Sequence, residues 1–355
     1  MEALRIFKRA LFFKRYKQYN GNAVEICKQI VKNCWNGKFF QASRGHFNQF
    51  YTRDFALCVE GLLKSGYKKE VKKTLEYALQ IFEKNRKVTT TITPKGKAID
   101  IFSYTPESIA MIIRSLRIVN DKKLIHKYKR LINNEVNKAF KISFNKKTGL
   151  LRIDKYFSSM KDNSLRKGSC YNNCMIAMLS NDLKRLKLNN PFKKYNIKEN
   201  IRKKFWNGKY FYDDIRKGKY VAGDANIFPF WTKVFDDKKM FQSCLNEIKK
   251  AGLDKPWPLK YTNFRTNQRF PNNIVVPNYE GNSVWTQLGL CFMKTVKMYN
   301  YKDFKKYYQQ YSELIENNKN LIELFNPDGS VYKTTFYIAD ESLIWAAIFL
   351  EISLN

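Results

Sequence analysis

The sequence predicts an all-α fold, an (α/α)6 barrel: six helical hairpins closed into a toroid, with short β-hairpins in the long loops at one end. Three observations predict it. Apolar residues recur at helical spacing through most of the chain, the links between helical segments alternate between short and long, and one turn sequence occurs twice, far apart.

A basic amphipathic segment, MEALRIFKRALFFKRYKQYN, opens the chain as a helical extension over 1–20. Helices are then expected at about 22–34, 54–66, 69–84, 105–119, 121–139, 170–187, 197–205, 224–235, 237–251, 283–299, 301–319 and 338–352. Short links fall around 67–68, 120, 188–196, 236 and 300, and long loops at 35–53, 85–104, 140–169, 206–223, 252–282 and 320–337. A short link makes consecutive helices antiparallel neighbours. If every second link is long, all the long loops emerge at one end, and loops of this length in a compact domain are usually functional. WNGKFF at 35–40 returns as WNGKYF at 206–211; each copy follows a helix, turns at Asn-Gly and begins an extended piece. Equivalent loops on different hairpins explain this repeat. Further strand-like pieces lie at 88–93 and 273–276.

Composition bounds the reading. A chain of 355 residues, 44% hydrophobic and 15% aromatic, can build a large core, and no linker divides it, so 1–355 is read as a single catalytic domain. No run approaches the ~20 apolar residues of a membrane span. Lys8, Arg9, Lys14 and Arg15 interrupt the N-terminal apolar stretch, which lacks the pattern of a signal peptide. Seven cysteines, odd in number and without a CxxC pair, fit core packing in a reducing cytoplasm. His46 and His126 are too few for a structural zinc site, and no metal or organic cofactor is implied. The formal charge of +35 points toward nucleic acid or anionic ligands, but the lysines are strewn along the whole chain. A solvated lysine-rich surface is therefore the preferred reading and nucleic-acid binding the disfavoured one.

Only 31 acidic residues stand among 66 basic ones, so their placement is informative. Asp54, Asp100, Glu107, Asp154, Asp162, Asp213, Asp214, Asp224, Glu280 and Glu323 fall in the long loops or at the helix starts after them. Glycosidic cleavage needs one protonated carboxyl and one ionised carboxylate across the bond, and opposite loops of a ring can present such a pair. Asp54 and Asp224 are equally explicable as helix-start residues, and Glu107, after Pro106, reads as structural. Glu323, between Leu321–Ile322 and Leu324–Phe325, is expected to be partly buried, where a carboxylate needs a partner or a task. Aromatic residues around the same loops, among them Tyr51, Tyr104, Tyr279 and Trp285, could stack on sugar rings or fill the core.

Four segments, in order, resemble the six-hairpin glycosidases, the group that includes glucoamylases, glycogen-debranching α-1,6-glucosidases, trehalases and processing α-glucosidases. FYTRDFALCVEGLLKSG looks like the group's Arg–Asp segment, which implies that Arg53 and Asp54 hold sugar hydroxyls. GLLRIDKYFSSMKDNSLRKGSCYNNCMIAML resembles the segment that supplies the general acid, matched by Asp162, although no acidic residue directly follows a tryptophan here. NYEGNSVWTQLGL is similar to a late pocket motif, which places Tyr279, Asn282 and Trp285 in the pocket. LIELFNPDGSVYKTTFYIADESLIWAAIFLEI resembles the terminal segment whose glutamate is the general base, here Glu323.

The resemblance implies an inverting α-glucosidase of glucoamylase or debranching type, acting on an α-glucoside or oligosaccharide. Tyr51, Tyr104, Asp224 and Glu280 complete the expected substrate-binding set. Two other classes stay open: a non-catalytic carbohydrate-binding or scaffold barrel, and a basic helical nucleic-acid binder. An isomerase or lyase on the same ring would need a histidine or tyrosine base, and of the histidines only His46 is near the site loops. An anionic sugar would reconcile the charge with the hydrolase reading.

Overall fold

Two kinds of helix alternate along the chain, and their surfaces decide where each can sit. The computed structural model describes residues 2–266 and 269–353. Its helices are α1 (Glu2–Phe12), α2 (Ala23–Cys34), α3 (Thr52–Lys64), α4 (Lys68–Asn85), α5 (Pro106–Val119), α6 (Lys122–Lys127), α7 (Lys129–Ser143), α8 (Cys170–Arg185), α9 (Ile197–Phe205), α10 (Gly223–Trp231), α11 (Lys238–Lys250), α12 (Asn272–Val275), α13 (Thr286–Tyr299), α14 (Tyr301–Asn318) and α15 (Ala346–Ser353). Helix α10 buries every residue it has, and α5 is buried from Pro106 to Leu116. Helix α4 instead buries a stripe at helical spacing, Val71, Thr74, Leu75, Ala78, Leu79 and Phe82, with Tyr77 beside it, and turns its lysines outward. An all-round apolar helix needs cover on every side; an amphipathic one supplies it.

The result is two concentric rings. Helices α3, α5, α8, α10, α13 and α15 each pack on the next, and α15 closes onto α3. Around them lie α2, α4, α6 with α7, α9, α11 and α14, so the six-hairpin (α/α)6 barrel read from the sequence is the fold observed. The closure is tight where α3 meets α15: a Cβ on Gly61 would stand 1.9 Å from the Ala347 carbonyl oxygen.

Every long loop leads from an outer helix into an inner one, so all six inner N-termini open at the same end. Short strands tie these loops together: β1 (Phe50–Tyr51), β2 (Thr91–Ile92), β3 (Ala98–Ile99), β4 (Phe144–Asn145), β5 (Leu150–Leu151), β6 (Val284–Trp285) and β7 (Leu324–Phe325). The β1–β2–β3 ladder pairs Phe50 with Ile92, and β6–β7 pairs Trp285 with Leu324, each joining loops of different hairpins. The WNGK repeat is structural too. Trp35 bridges Phe40 and Trp206 bridges Phe211, with Gly37 and Gly208 at φ of 90° and 97°, a conformation that favours glycine.

Several boundaries differ from the sequence reading. The helix expected over 121–139 breaks at Tyr128 into α6 and α7, and the one over 224–235 stops at Trp231. The last helix begins at Ala346, not 338, because Ile338 and Glu341 form bridges to Lys333 and Ile322 instead. The piece at 273–276 is the single turn α12, in which the Val275 and Val276 amides donate to the Pro271 and Asn272 carbonyls. The N-terminal segment is helical only to Phe12. It continues as an extended strap held by Tyr16 Oη to the Ala339 carbonyl (3.0 Å), the Lys17 amide to Glu341 (2.6 Å) and Tyr19 Oη to Ser342 Oγ (3.0 Å). All seven cysteines are buried free thiols, and no described helix is long and apolar enough to cross a membrane.

Candidate active site

At the end where the inner helices begin lies a cavity of about 640 Å³, lined from five of the six long loops, the helix starts that follow them, and Ile6 and Phe7 of α1. Among the described residues its charged lining consists of Arg53, Asp54, Glu107, Asp162, Glu280 and Glu323: one cation, five carboxyls and no lysine. In a chain with 35 excess positive charges this is a marked local reversal. The six inner N-termini, each carrying roughly half a positive charge, point toward this end and offset part of the repulsion.

Glu323 is buried on the loop between α14 and α15. Its Oε1 accepts from Tyr279 Oη (2.5 Å), and its Oε2 accepts from Tyr337 Oη (2.5 Å) and the Asp340 amide (2.8 Å). Burial raises its carboxyl to about 7, against the pull of these three donors, which favour the ionised form. The backbone is fixed from both sides: the Glu323 amide donates to the Asp340 carbonyl (2.9 Å) and the Thr286 amide to the Glu323 carbonyl (3.1 Å).

Arg53, in the first turn of α3, reaches across to the α7–α8 loop. It contacts Glu107 at 2.6 Å, the Ser159 carbonyl at 2.5 Å and both oxygens of Asp162 at 3.3–3.4 Å. Asp162 is half-buried; burial raises its carboxyl above the ordinary aspartate range, and Arg53 opposes that shift. Asp54 accepts from Trp345 Nε1 (2.7 Å) and Gln287 Nε2 (3.2 Å), with its carboxyl raised by burial against the pull of Arg53. Glu280 is buried beneath the same loop and accepts the amides of Asn163 and Ser164 at 2.8–2.9 Å. Burial, then the neighbouring Asp162, lifts it to about 7.

The sixth long loop, between α9 and α10, contributes no lining residue. It supports the Asp162 loop from behind. Lys161 reaches Asp213 at 3.3 Å, and Arg166 reaches Asp213 at 2.7 Å and Asp224 at 2.6 Å, all four buried and mutually neutralising. Burial works against the Asp213 anion, but Lys161 and Arg166 outweigh it and hold the carboxyl well below the usual range. The charges of this buried network cancel, although Arg166 Nε and Asp224 Oδ1 find no hydrogen-bond partner within it, and buried ion pairs of this kind tolerate little displacement. It sets where Asp162 can stand.

Of the residues expected at the site, Tyr51, Arg53, Asp54, Asp162, Tyr279, Glu280, Trp285 and Glu323 line the cavity together. Three do not. Asp224 is consumed by the Arg166 ion pair, Tyr104 packs its ring on Phe157, and Asn282 is tied into a turn by hydrogen bonds with Asn278. Glu107, read from sequence as a helix-start residue, is a buried partner of Arg53 in the lining. Tyr337, Gln287 and Trp345, which hold Glu323 and Asp54, lie inside the two late segments of the resemblance, but only tertiary proximity shows their tasks. His46 is not in the lining. It is buried against Phe47 and Tyr337, and burial lowers its pKa to about 4, so its imidazole is neutral. Among the described residues no group of three His, Cys, Asp or Glu side chains forms a metal-binding set.

No family model matches the sequence, and no curated protein matches it. Solved structures do match at the level of the fold. A rhamnosidase from Klebsiella oxytoca, solved with rhamnose bound, aligns over 95% of this chain and 65% of its own, with 9% identity and a TM-score of 0.66. The chain thus spans just under two thirds of that enzyme's length. A GH63 mannosylglycerate hydrolase from Thermus thermophilus aligns over 94% of this chain and 100% of its own, with 9% identity and a TM-score of 0.63. A wild-type glycosidase aligns over 99% of this chain and 97% of its own, with 10% identity and a TM-score of 0.68. The chain has the six-hairpin fold of glycoside hydrolases, and at these identities the likeness concerns the fold alone.

Proposed function

We propose that this chain is a glycoside hydrolase that cleaves by inversion, with Asp162 as general acid and Glu323 as general base. One observation supports this most strongly: two carboxyls on loops of different hairpins line one cavity, each held by its own partners. In the reaction, Asp162 gives its proton to the glycosidic oxygen as the bond to the anomeric carbon breaks. Glu323 removes a proton from a water whose oxygen bonds to that carbon on the opposite face. A base poised near neutrality is well matched to this step. Inversion requires a carboxyl separation of roughly 6.5–9.5 Å, enough for the water. Asp54, aimed by Trp345 and Gln287, would take sugar hydroxyls, and Trp285 and Tyr51 would flank the ring.

The lining argues for a neutral sugar, since an anionic one would meet five carboxyls and a single arginine already engaged with two of them. For the same reason the concave face is a poor nucleic-acid surface. A base-dependent isomerase or lyase has little support: His46 lies outside the lining, and Tyr279 and Tyr337 donate to Glu323, with burial raising both phenols far above their ordinary range. The motif resemblance favours an α-glucoside; the fold neighbours extend the candidates to rhamnosides and mannosyl compounds. The test is a reducing-sugar screen of maltose, isomaltose, maltotriose, glycogen, trehalose, α-rhamnosides and mannosylglycerate, with NMR of the first-formed anomer. Full retention of hydrolysis by Glu323→Gln defeats the proposal.

A further inference from the structure

The cavity changes character along its depth. Its carboxyls lie at the inner end, where Glu107 and Glu323 are each 1% exposed. Its outer end is formed by Ile6, Phe7, Phe102, Val275, Val276 and Phe336. Three of these keep substantial exposure, Phe7 at 37%, Phe102 at 51% and Phe336 at 41%, which places them at the mouth. Exposed apolar patches of this kind mark binding surfaces.

Aromatic rims often stack on sugar rings, but this one is poorly arranged for that. Phe7 and Phe336 stack on each other (5.9 Å, 23°), and the Arg269 guanidinium lies over Phe102 at 5.6 Å. One face of each of these rings is thereby occupied, and Ile6, Val275 and Val276 beside them offer no hydroxyl partner. Part of the rim comes from α1, which is held in place by Arg9 with Glu341 (2.5 Å) and Arg5 Nε with the His46 carbonyl (2.5 Å).

We infer that the substrate is a glycoside with an apolar alkyl or aryl aglycone, its sugar among the carboxyls and its aglycone against the rim formed by Phe7, Phe102 and Phe336. This rests on the hydrolase reading for the identity of the inner end. The test is calorimetric binding to the Glu323→Gln protein of methyl and n-octyl α-glycosides of glucose, mannose and rhamnose, with maltose as the sugar-extended control. Wild-type hydrolysis of the same compounds is followed in parallel. The n-octyl glycoside of the accepted sugar is expected to bind roughly tenfold or more tighter than the methyl one. Phe7→Ala and Phe102→Ala are each expected to cut that ratio several-fold. An octyl-to-methyl ratio near one, an advantage that survives both substitutions, a maltose gain equal to the octyl gain, or no binding of any octyl glycoside overturns the inference. An octyl advantage that the rim variants lose, without hydrolysis of any of these compounds by wild type, upholds the rim as the aglycone-binding site and defeats the hydrolase reading instead. Retention on phosphatidylglycerol vesicles without an aglycone preference also overturns it, assigning the rim to a lipid surface.

Discussion

Replacing Glu323 by glutamine should cost activity and gain stability, with the gain confined to one side of a pH window. Burial lifts this carboxyl from 4.5 to about 7, so the folded chain holds the proton more tightly than the unfolded chain does. Below 4.5 both states are protonated and the ionisation contributes nothing. As pH rises the unfolded chain ionises first, the folded state loses relative stability, and the loss is complete above about 7. The displacement corresponds to about 3 kcal/mol at pH 8. Glutamine has nearly the same shape and no charge, but it keeps one acceptor oxygen where the carboxylate serves Tyr279, Tyr337 and the Asp340 amide. One tyrosine must reorient, which offsets about 1 kcal/mol. The net expectation is a gain of about 2 kcal/mol at pH 8 and a small loss near pH 4.5. Urea titrations at the two pH values measure it. An identical stability difference at both, or a less stable variant at pH 8, would show that Glu323 is not held at an energetic cost.

Four further outcomes follow from the structure. The kcat/KM profile should fall as pH drops through about 7, where Glu323 gains its proton. Tyr337→Phe, which removes a donor to the ionised form, should move that limb upward by about one pH unit; a stationary limb would remove Glu323 from the base role. Asp162→Asn should lower turnover of ordinary glycosides by roughly 10²–10⁴-fold but that of a glycosyl fluoride far less, since fluoride leaves without a proton. Equal losses on both would deny it the acid role. Gly61→Ala should destabilise the barrel by about 2 kcal/mol or more in urea, although alanine is the better helix former by about 1 kcal/mol. The sign reverses because the new Cβ would meet the Ala347 carbonyl at 1.9 Å, and an unchanged midpoint would mean that α3 and α15 can separate freely.

The ring was legible in the sequence because its two kinds of helix differ in pattern. The stripe from Val71 to Phe82 and the near-continuous burial of 223–231 are both written in apolar spacing, and link length then orders the helices. Arg53 and Glu323 were legible because each breaks a local expectation, one beside a helix start and the other inside an apolar run. Where the structure departs from local pattern, as at 338–345, bridges to other loop residues replace the local helical preference.

What local pattern could not separate was one acidic helix-start residue from another. Asp54, Glu107 and Asp224 look alike along the chain, yet the first two face the cavity while the third is neutralised by Arg166 from another loop. Tyr337 and Trp345 gained their tasks only when folding brought them to Glu323 and Asp54. Periodicity and link length, both local quantities, sufficed for the order of the helical segments, their pairing and the end at which the loops gather, though not for every helix boundary. The tertiary structure decided which carboxyls share a cavity and which are paired away, because a buried charge is settled by partners that lie far off along the chain.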